Sequence, residues 1–401
     1  MSRPEADGAD VNPAPQRGLI RVMHLITGTG VGGAETMLFK LLSTMDRSRF
    51  GSIVYSMIEP GPTADRIRSL GIEVHTLGMK QSYPDPRAVL RFARAVRRWR
   101  PHVLQTWMYH ADLLGGLVGK LFFGVPVVWN IRHSDLHPEA NHWMTLRVAK
   151  LCGLLSAWAP ARIVCCAESG RIIHTRIGYR TSKMVVIPNG FDLEAYRPRP
   201  DADVICLERY GIPRHIDLIS LIARYHPQKD HATFIAAAKL YHARSPETIF
   251  ALCGDGITSA NGELMNLIGQ AGLEGRVFLL GRRAPADIAL IMSRSSLITS
   301  SSSEEAFPNV IGEAMACGTV CVVTDVGDSA YIVGDTGVVV PARSPEELAK
   351  GWMRILNMDE HTRAALGRAA RHRVETKFGL PAIALRYQDL YVELFGGQGV
   401  A

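Results

Sequence analysis

Short apolar runs alternate with longer stretches of helical spacing along most of this chain. The first run, IRVMHLIT at residues 20–27, is mostly apolar and stops at a glycine. Such a run reads as a buried strand, the usual state in a parallel sheet covered on both faces. A helix is predicted over 34–43, a strand over 52–58, a helix over 63–70 and a strand over 73–77. The alternation continues with a helix at 87–100, a strand at 103–106, a helix at 111–122 and a strand at 125–131. A second series begins near 217, with strands at 217–223, 249–253, 277–280, 297–299 and 320–324. Helices at 232–243, 262–272, 286–293 and 309–316 lie between them. Strand–helix–strand alternation predicts parallel sheets with right-handed crossovers. Two such series predict an α/β protein with two doubly wound halves, joined through a stretch carrying Pro198 and Pro200.

Length and composition fit this picture. A chain of 401 residues suggests two or three domains, and 47% hydrophobic with 21% charged residues is ordinary for a globular protein. A net charge of +7 favours anionic partners such as nucleotides, phospholipids or lipid diphosphates. Nucleic acid fits on charge alone, but no nucleic-acid-binding motif supports it. Seven cysteines, an odd number without a C-x-x-C pair, predict reduced thiols in a cytosol and no zinc site. Residues 1–17, rich in Pro, Ala and Asp, predict a disordered leader without a targeting signal. The apolar stretch 113–129 is interrupted by Lys120 and Pro126, and reads as a helix then a strand rather than a membrane span. Arg87, Arg91, Arg94, Arg97, Arg98 and Arg100 share a helix with Leu90, Phe92, Val96 and Trp99. A crossover helix with a solvated basic face explains this, and the same face would suit peripheral contact with an anionic membrane.

The densest chemistry lies in SSSEEAFPNVIGEAMACG, residues 301–318. Pro308 suits the first turn of a helix, where its missing N–H costs nothing. A helix start offers free N–H groups and a partial positive charge, a place for an anion such as a diphosphate. Glu305 and Glu313 on either side would repel a phosphate, and are better suited to accept hydrogen bonds from hydroxyls. An anion flanked by hydroxyls describes a nucleotide-sugar. Arg224 and Lys229 follow a predicted strand, at the edge where α/β sheets bind ligands. They could neutralise a diphosphate leaving group, Arg by forked contacts and Lys as a point charge, or be two solvated loop cations. Gly28, Gly30 and Gly33 satisfy G-x-G-x-x-G, and Glu59 after the second strand could bind a ribose. An NAD-dependent oxidoreductase therefore stays open. His110 and His133 each follow a predicted strand.

The E-x7-E spacing of Glu305 and Glu313, the Phe307-Pro308-Asn309 between them and the EAMACG run resemble the donor site of retaining glycosyltransferases of family 4. ARYHPQKDH at 223–231 resembles that family's basic diphosphate segment. GVGGAE at 30–35 resembles its glycine-rich loop, and VVIPNGFD at 185–192 the segment closing its first domain. The resemblance spans roughly residues 20–391. It implies the GT-B architecture: two Rossmann-like domains with parallel sheets facing across a cleft, and a C-terminal helix crossing back to the first domain. The expected division is a leader at 1–17, an acceptor-side domain at 18–195, a linker at 196–210, a nucleotide-sugar-binding domain at 211–378 and a returning helix at 379–401.

The resemblance places Gly32, Gly33, Arg224 and Lys229 at the donor diphosphate, with Phe307, Pro308 and Asn309 in the donor loop. Glu305, rather than adjacent Glu304, would meet the sugar hydroxyls, and Glu313 the ribose. His110 would lie near the reacting carbon, and Arg132 and His133 would orient the acceptor or its phosphate. It implies transfer of a hexose-type sugar to a glycan or lipid-linked acceptor in cell-surface polysaccharide synthesis, on the cytoplasmic side of the membrane. No cofactor and no metal are expected. Asp201 and Asp203 match a D-x-D metal motif of another glycosyltransferase fold, but their proline-rich setting speaks against it. A nucleotide-sugar epimerase of the same fold, a phosphorylase and a catalytically silent binding module are the remaining alternatives.

Overall fold

In the computed structural model, residues 18–80, 85–132, 136 and 142–396 are described. The first half runs β1 (Ile20–Ile26), α1 (Gly33–Thr44), β2 (Phe50–Ser56), α2 (Pro62–Ser69), β3 (Val74–Thr76), α3 (Pro86–Trp99), β4 (Val103–Trp107), α4 (Tyr109–Val118), β5 (Val127–Ile131), α5 (Trp143–Leu155), β6 (Arg162–Cys165), α6 (Glu168–Arg176) and β7 (Met184–Val186). The second half runs α7 (Ala202–Tyr210), β8 (Leu218–Ile222), α8 (His231–His242), β9 (Ile249–Cys253), α9 (Gly262–Ala271), β10 (Val277–Leu279), α10 (Pro285–Arg294), β11 (Leu297–Ser300), α11 (Asn309–Ala316), β12 (Cys321–Thr324), α12 (Ser329–Val333), β13 (Val338–Val340), α13 (Pro345–Leu356), α14 (Glu360–Phe378) and α15 (Leu380–Gly396).

The strands form two wholly parallel sheets, ordered β3-β2-β1-β4-β5-β6-β7 and β10-β9-β8-β11-β12-β13. Each order reverses direction at one point, β1/β4 in the first sheet and β8/β11 in the second. In an open α/β sheet the crevice at such a point, beyond the carboxyl ends of the strands, is where ligands bind.

Every predicted strand is present. The apolar pattern assigns no element between 132 and 195, where the structure has α5, β6, α6 and β7. The short strands there, of three and four residues, blur the period on which the reading depends. The predicted linker contains α7, which buries Ala202 and Cys206. The arginine-rich helix is α3, its apolar face buried through Ala88, Phe92 and Val96. The stretch 113–129 is the end of α4, a π-helical turn at Gly119–Phe123, and the start of β5. Among the described residues, no helix is long and apolar enough to cross a membrane. All seven cysteines are buried and unpaired with one another. Residues 1–17 lie outside the described residues.

Both sheets bury both faces, so their strands can be apolar throughout. One face of the first sheet is covered by α1, α2 and α15; Leu41 and Leu42 of α1 share a core with Ile383, Tyr387 and Tyr391 of α15. The C-terminal helix thus packs on the first sheet. The chain crosses between halves twice, and the crossings are paired: Phe191 N–H donates to Phe378 O at 2.9 Å and Leu380 N–H to Phe191 O at 3.0 Å. The Phe191 ring stacks on Phe307 and fills the space beside Gly312, where an added Cβ would lie 2.1 Å from it.

Candidate functional site

The carboxyl ends of β8 and β11 carry the two segments that the sequence singles out. Their loops are stitched together by main-chain and serine contacts. Ser303 N–H donates to Gln228 O at 2.8 Å, Ser301 Oγ to Lys229 O at 2.9 Å, and Thr324 Oγ1 to Ser302 O at 2.6 Å. These contacts fix where the following side chains point. Lys229 Nζ pairs with Glu305 Oε1, which also accepts from Ser302 Oγ at 2.8 Å. Gln228 Nε2 donates to Glu304 Oε2 at 3.2 Å. The neighbouring glutamates are therefore separated by partner: Glu305 meets the lysine, Glu304 an amide. Gly327, at φ +55°, lets its backbone lie against Glu305 O, where a Cβ would fall 2.3 Å away. Glycine is the residue that tolerates both demands.

α11 begins here. Pro308 is its N-cap, one position before the first-turn place expected from sequence. No side chain caps this helix and its first turn holds no carboxylate, so its free N–H groups and partial positive charge face the loop.

A cavity of about 590 Å³ lies between the two sheets. Arg224, Lys229, Glu305, Phe307, Pro308 and Asn309 line it from the second half; Gly32, Gly33 and Arg132 line it from the first. Arg224 and Lys229 flank His226, whose ring burial and these two cations hold below the usual histidine pKa. Only the end of the glycine loop faces the cavity. Its beginning is packed by the start of α2: Gly61 N–H donates to Thr29 Oγ1 at 2.8 Å and Thr63 Oγ1 to Gly30 O at 2.6 Å. Glu59 does not line the cavity. The Gly28–Gly30 part of the loop is thus tied to the start of α2 rather than turned into the cavity.

Other sequence-singled residues lie elsewhere. Glu313 is not a lining residue; its carboxyl faces α1 of the other half, 3.9 Å from Lys40 Nζ, beside Tyr196. Burial pushes it up to about 7 against the opposing pull of Lys40 and Tyr196. His110 is half-buried on α4 and does not line the cavity; burial lowers its pKa below the usual histidine value. His133 lies outside the described residues. Asp201 is held by Arg199 at 2.9 Å and Asp203 by Arg294 at 2.8 Å. Asp203 lines a second cavity with Asp217, Ser296 and Val320, at the amino ends of the strands and away from the cleft. Among the described residues, no group of three or more His, Cys, Asp or Glu could hold a metal ion.

Several cavity residues were not anticipated from sequence. Asn189, buried in the VVIPNGFD segment, accepts from Arg132 Nη2 and donates through Nδ2 to Asn309 Oδ1 at 2.7 Å, so that a polar chain crosses the cleft. Arg132 also lies over the Trp107 ring, 5.7 Å from its centroid. Met108 lines the cavity at φ +73°, an unusual conformation for a residue with a Cβ. No pattern in the sequence signals that turn.

Against this geometry, the comparisons with known proteins agree in both halves. The model of Glycosyltransferase Family 4 matches residues 31–195, and that of Glycosyl transferases group 1 matches residues 208–373. EpsF of Bacillus subtilis, named as a glycosyltransferase, is 28% identical over 313 residues, covering 76% of this chain and 79% of the relative. The Escherichia coli UDP-Gal:alpha-D-GlcNAc-diphosphoundecaprenol alpha-1,3-galactosyltransferase is 23% identical over 320 residues, covering 77% of this chain and 80% of the relative. The crystal structure of Anabaena HepE in complex with UDP superposes with a TM-score of 0.81 over 93% of this chain and 100% of the other, at 22% identity, a likeness of fold.

Proposed function

Since the chain belongs to the glycosyltransferases, joining a Family 4 half to a group 1 half in the GT-B architecture, we propose that it moves a hexose-type sugar from a nucleotide-diphosphate donor to a hydroxyl acceptor with retention of configuration. One observation carries the reading. Arg224, Lys229 and the uncapped start of α11 converge on a single cavity, in which Lys229 and Ser302 also hold Glu305. The cations and helix start suit the diphosphate, and the carboxylate suits sugar hydroxyls.

In this reading, the bond from the anomeric carbon to the diphosphate breaks as Arg224 and Lys229 take up the developing charge. The acceptor hydroxyl bonds to the same face of the sugar. Its proton passes to the departing phosphate oxygen, which leaves a glycoside and a nucleoside diphosphate. Gly32 and Gly33 let the first half approach the diphosphate closely. Arg132 stands on the acceptor side. A glycan or lipid-linked acceptor in cell-surface polysaccharide synthesis, met at the cytoplasmic face of the membrane, is the context we propose. The Escherichia coli relative's name, with its UDP-Gal donor and diphosphoundecaprenol acceptor, supports it.

The test is to offer UDP-, GDP- and ADP-hexoses, identify the stabilising donor by thermal shift, and read the anomeric configuration of the product by NMR. A donor at about a hundred times its Kd adds roughly 2.7 kcal/mol of stability. An α-donor should give an α-product, and Lys229→Ala or Arg224→Ala should lower turnover about 10²-fold. A β-product from an α-donor overturns retention, and full turnover in both variants overturns the leaving-group assignment.

A further inference from the structure

Tyr387 and Tyr391, one turn apart on α15, are fully buried against the first sheet. Each turns its hydroxyl to an amide side chain on a strand. Tyr391 Oη donates to Gln105 Oε1 of β4 at 3.1 Å, and Tyr387 Oη accepts from Asn130 Nδ2 of β5 at 3.1 Å. On a strand, residues two apart share a face. Trp107 therefore follows Gln105 on the face toward α15, and Arg132, just past the end of β5, follows Asn130. The side chains meet as this alternation requires. The Tyr387 ring stacks on the Trp107 ring, with 6.4 Å between centroids and 22° between planes. The Arg132 guanidinium lies 5.7 Å from the Trp107 centroid. Arg132 is near enough to Tyr387 for its charge to pull the phenol pKa down, although burial wins and the pKa stays raised.

The Tyr387 hydroxyl is desolvated, and its contact with Asn130 offsets that cost. Asn130 in turn organises the cleft wall. Its C=O accepts from Met108 N–H at 3.1 Å, and its N–H donates to Asp112 Oδ1 at 3.3 Å. Met108 lines the cavity at its positive φ, and so does Arg132, two residues after Asn130. From the chain crossing, Asn189 accepts from Arg132 Nη2. Arg132 is thus held by Asn189 on one side and by the Trp107 ring on another. Tyr387 itself does not line the cavity.

We propose that Tyr387 is a positioning residue for the acceptor side of the cleft. It fixes Asn130 and packs on Trp107, and these two set where the Arg132 guanidinium stands. That Arg132 meets an acceptor rests on the reading above; that Tyr387 sets its position does not. The returning helix is then part of the frame of the site as well as a cover for the first sheet.

The test is Tyr387→Phe, which keeps the ring and removes the hydroxyl. Tyr391→Phe is the control: it removes an equally buried hydroxyl of the same helix, whose partner Gln105 does not line the cavity. Phenylglyoxal labelling, read by peptide mass spectrometry, reports the freedom of the Arg132 guanidinium without any turnover. Labelling at Arg132 should be about three- to tenfold faster in Tyr387→Phe, the worth of one hydrogen bond, and unchanged in Tyr391→Phe. In the transfer assay above, the acceptor KM of Tyr387→Phe should rise by a similar factor while its donor KM stays at the wild-type value. In an Arg132→Ala background, Tyr387→Phe should add nothing to the acceptor KM. A merely structural hydroxyl would lower thermal stability alike in both tyrosine variants and move neither reading. The proposal is overturned if either the Arg132 labelling or the acceptor KM of Tyr387→Phe stays at the wild-type value. Equal effects in Tyr391→Phe, or a donor KM that rises as much as the acceptor KM, overturn it as well. If the wild type transfers no sugar at all, the function proposed above fails, and labelling alone decides whether Tyr387 positions Arg132.

Discussion

Glu313 shows how far a single residue can be read. Its spacing from Glu305 leads the sequence reading to place it at the ribose, but says nothing of the company it keeps. The structure sets it against Lys40 and Tyr196, in surroundings that raise its pKa from 4.5 to about 7. A raised folded-state pKa means that the folded protein holds the proton more tightly than the unfolded chain. The stability this brings is fully present below about pH 4.5 and is lost as pH rises through 7. Glu313→Gln should therefore match the wild type at low pH and become the more stable protein above pH 7, by up to about 3 kcal/mol. Thermal unfolding across a pH series without donor reads this directly; a difference that does not change with pH would show an ordinary carboxylate. Glu305 and Lys229 were legible because short motifs name them. Met108 and Asn189 were less so: the one depends on a positive φ, the other on a partner 120 residues away.

At the scale of elements, legibility did not follow length: four-residue β11 was foreseen and 19-residue α14 was not. β8, β11 and α11 are where the apolar pattern puts them, whereas α5, β6, α6 and β7 have no predicted counterpart. The placing of α11 depends on a residue without a side chain. Gly312 faces the Phe191 ring, which also contacts Phe307 and Phe378 and occupies the chain crossing. A methyl group there would push α11 away from the crossing and move its free N–H groups at the cavity. Gly312→Ala should cost about 1–3 kcal/mol, as overpacking typically does, and should raise the donor KM more than it lowers kcat. Gly262, the first residue of α9, has open space around its Cβ position, and Gly262→Ala is the control that should leave both unchanged. Unaltered donor kinetics in Gly312→Ala would mean that the cavity does not depend on the exact seating of α11.

For the whole molecule, the two sheets and their facing carboxyl edges follow from two series of alternating segments, but the way the halves are fastened does not. Asp328 is the clearest fastening. It is 4% exposed and accepts from Glu168 N–H at 2.8 Å and Ser169 N–H at 3.1 Å, across 160 and 159 residues of chain. It thereby caps α6, which has no capping side chain of its own. The same residue is tied to the donor loop, since Asp328 N–H donates to Ala306 O at 3.0 Å beside Glu305. A helix start in one half is thus plugged by a carboxylate whose backbone supports the cavity in the other. Losing such a cap costs about 0.5–2 kcal/mol. Asp328→Ala should lose that much stability. If the cap also holds the halves together, the unliganded variant should populate a more open form, with a larger radius of gyration by small-angle scattering. Donor would then have to supply the closure, so its KM should rise while kcat at saturating donor changes less. Asp328→Asn, which keeps an acceptor oxygen, should lie between. Lower stability with unchanged scattering and unchanged KM would show that Asp328 serves α6 alone, and that the halves are fastened by the Phe191–Leu380 crossing and the Asn189–Asn309 contact.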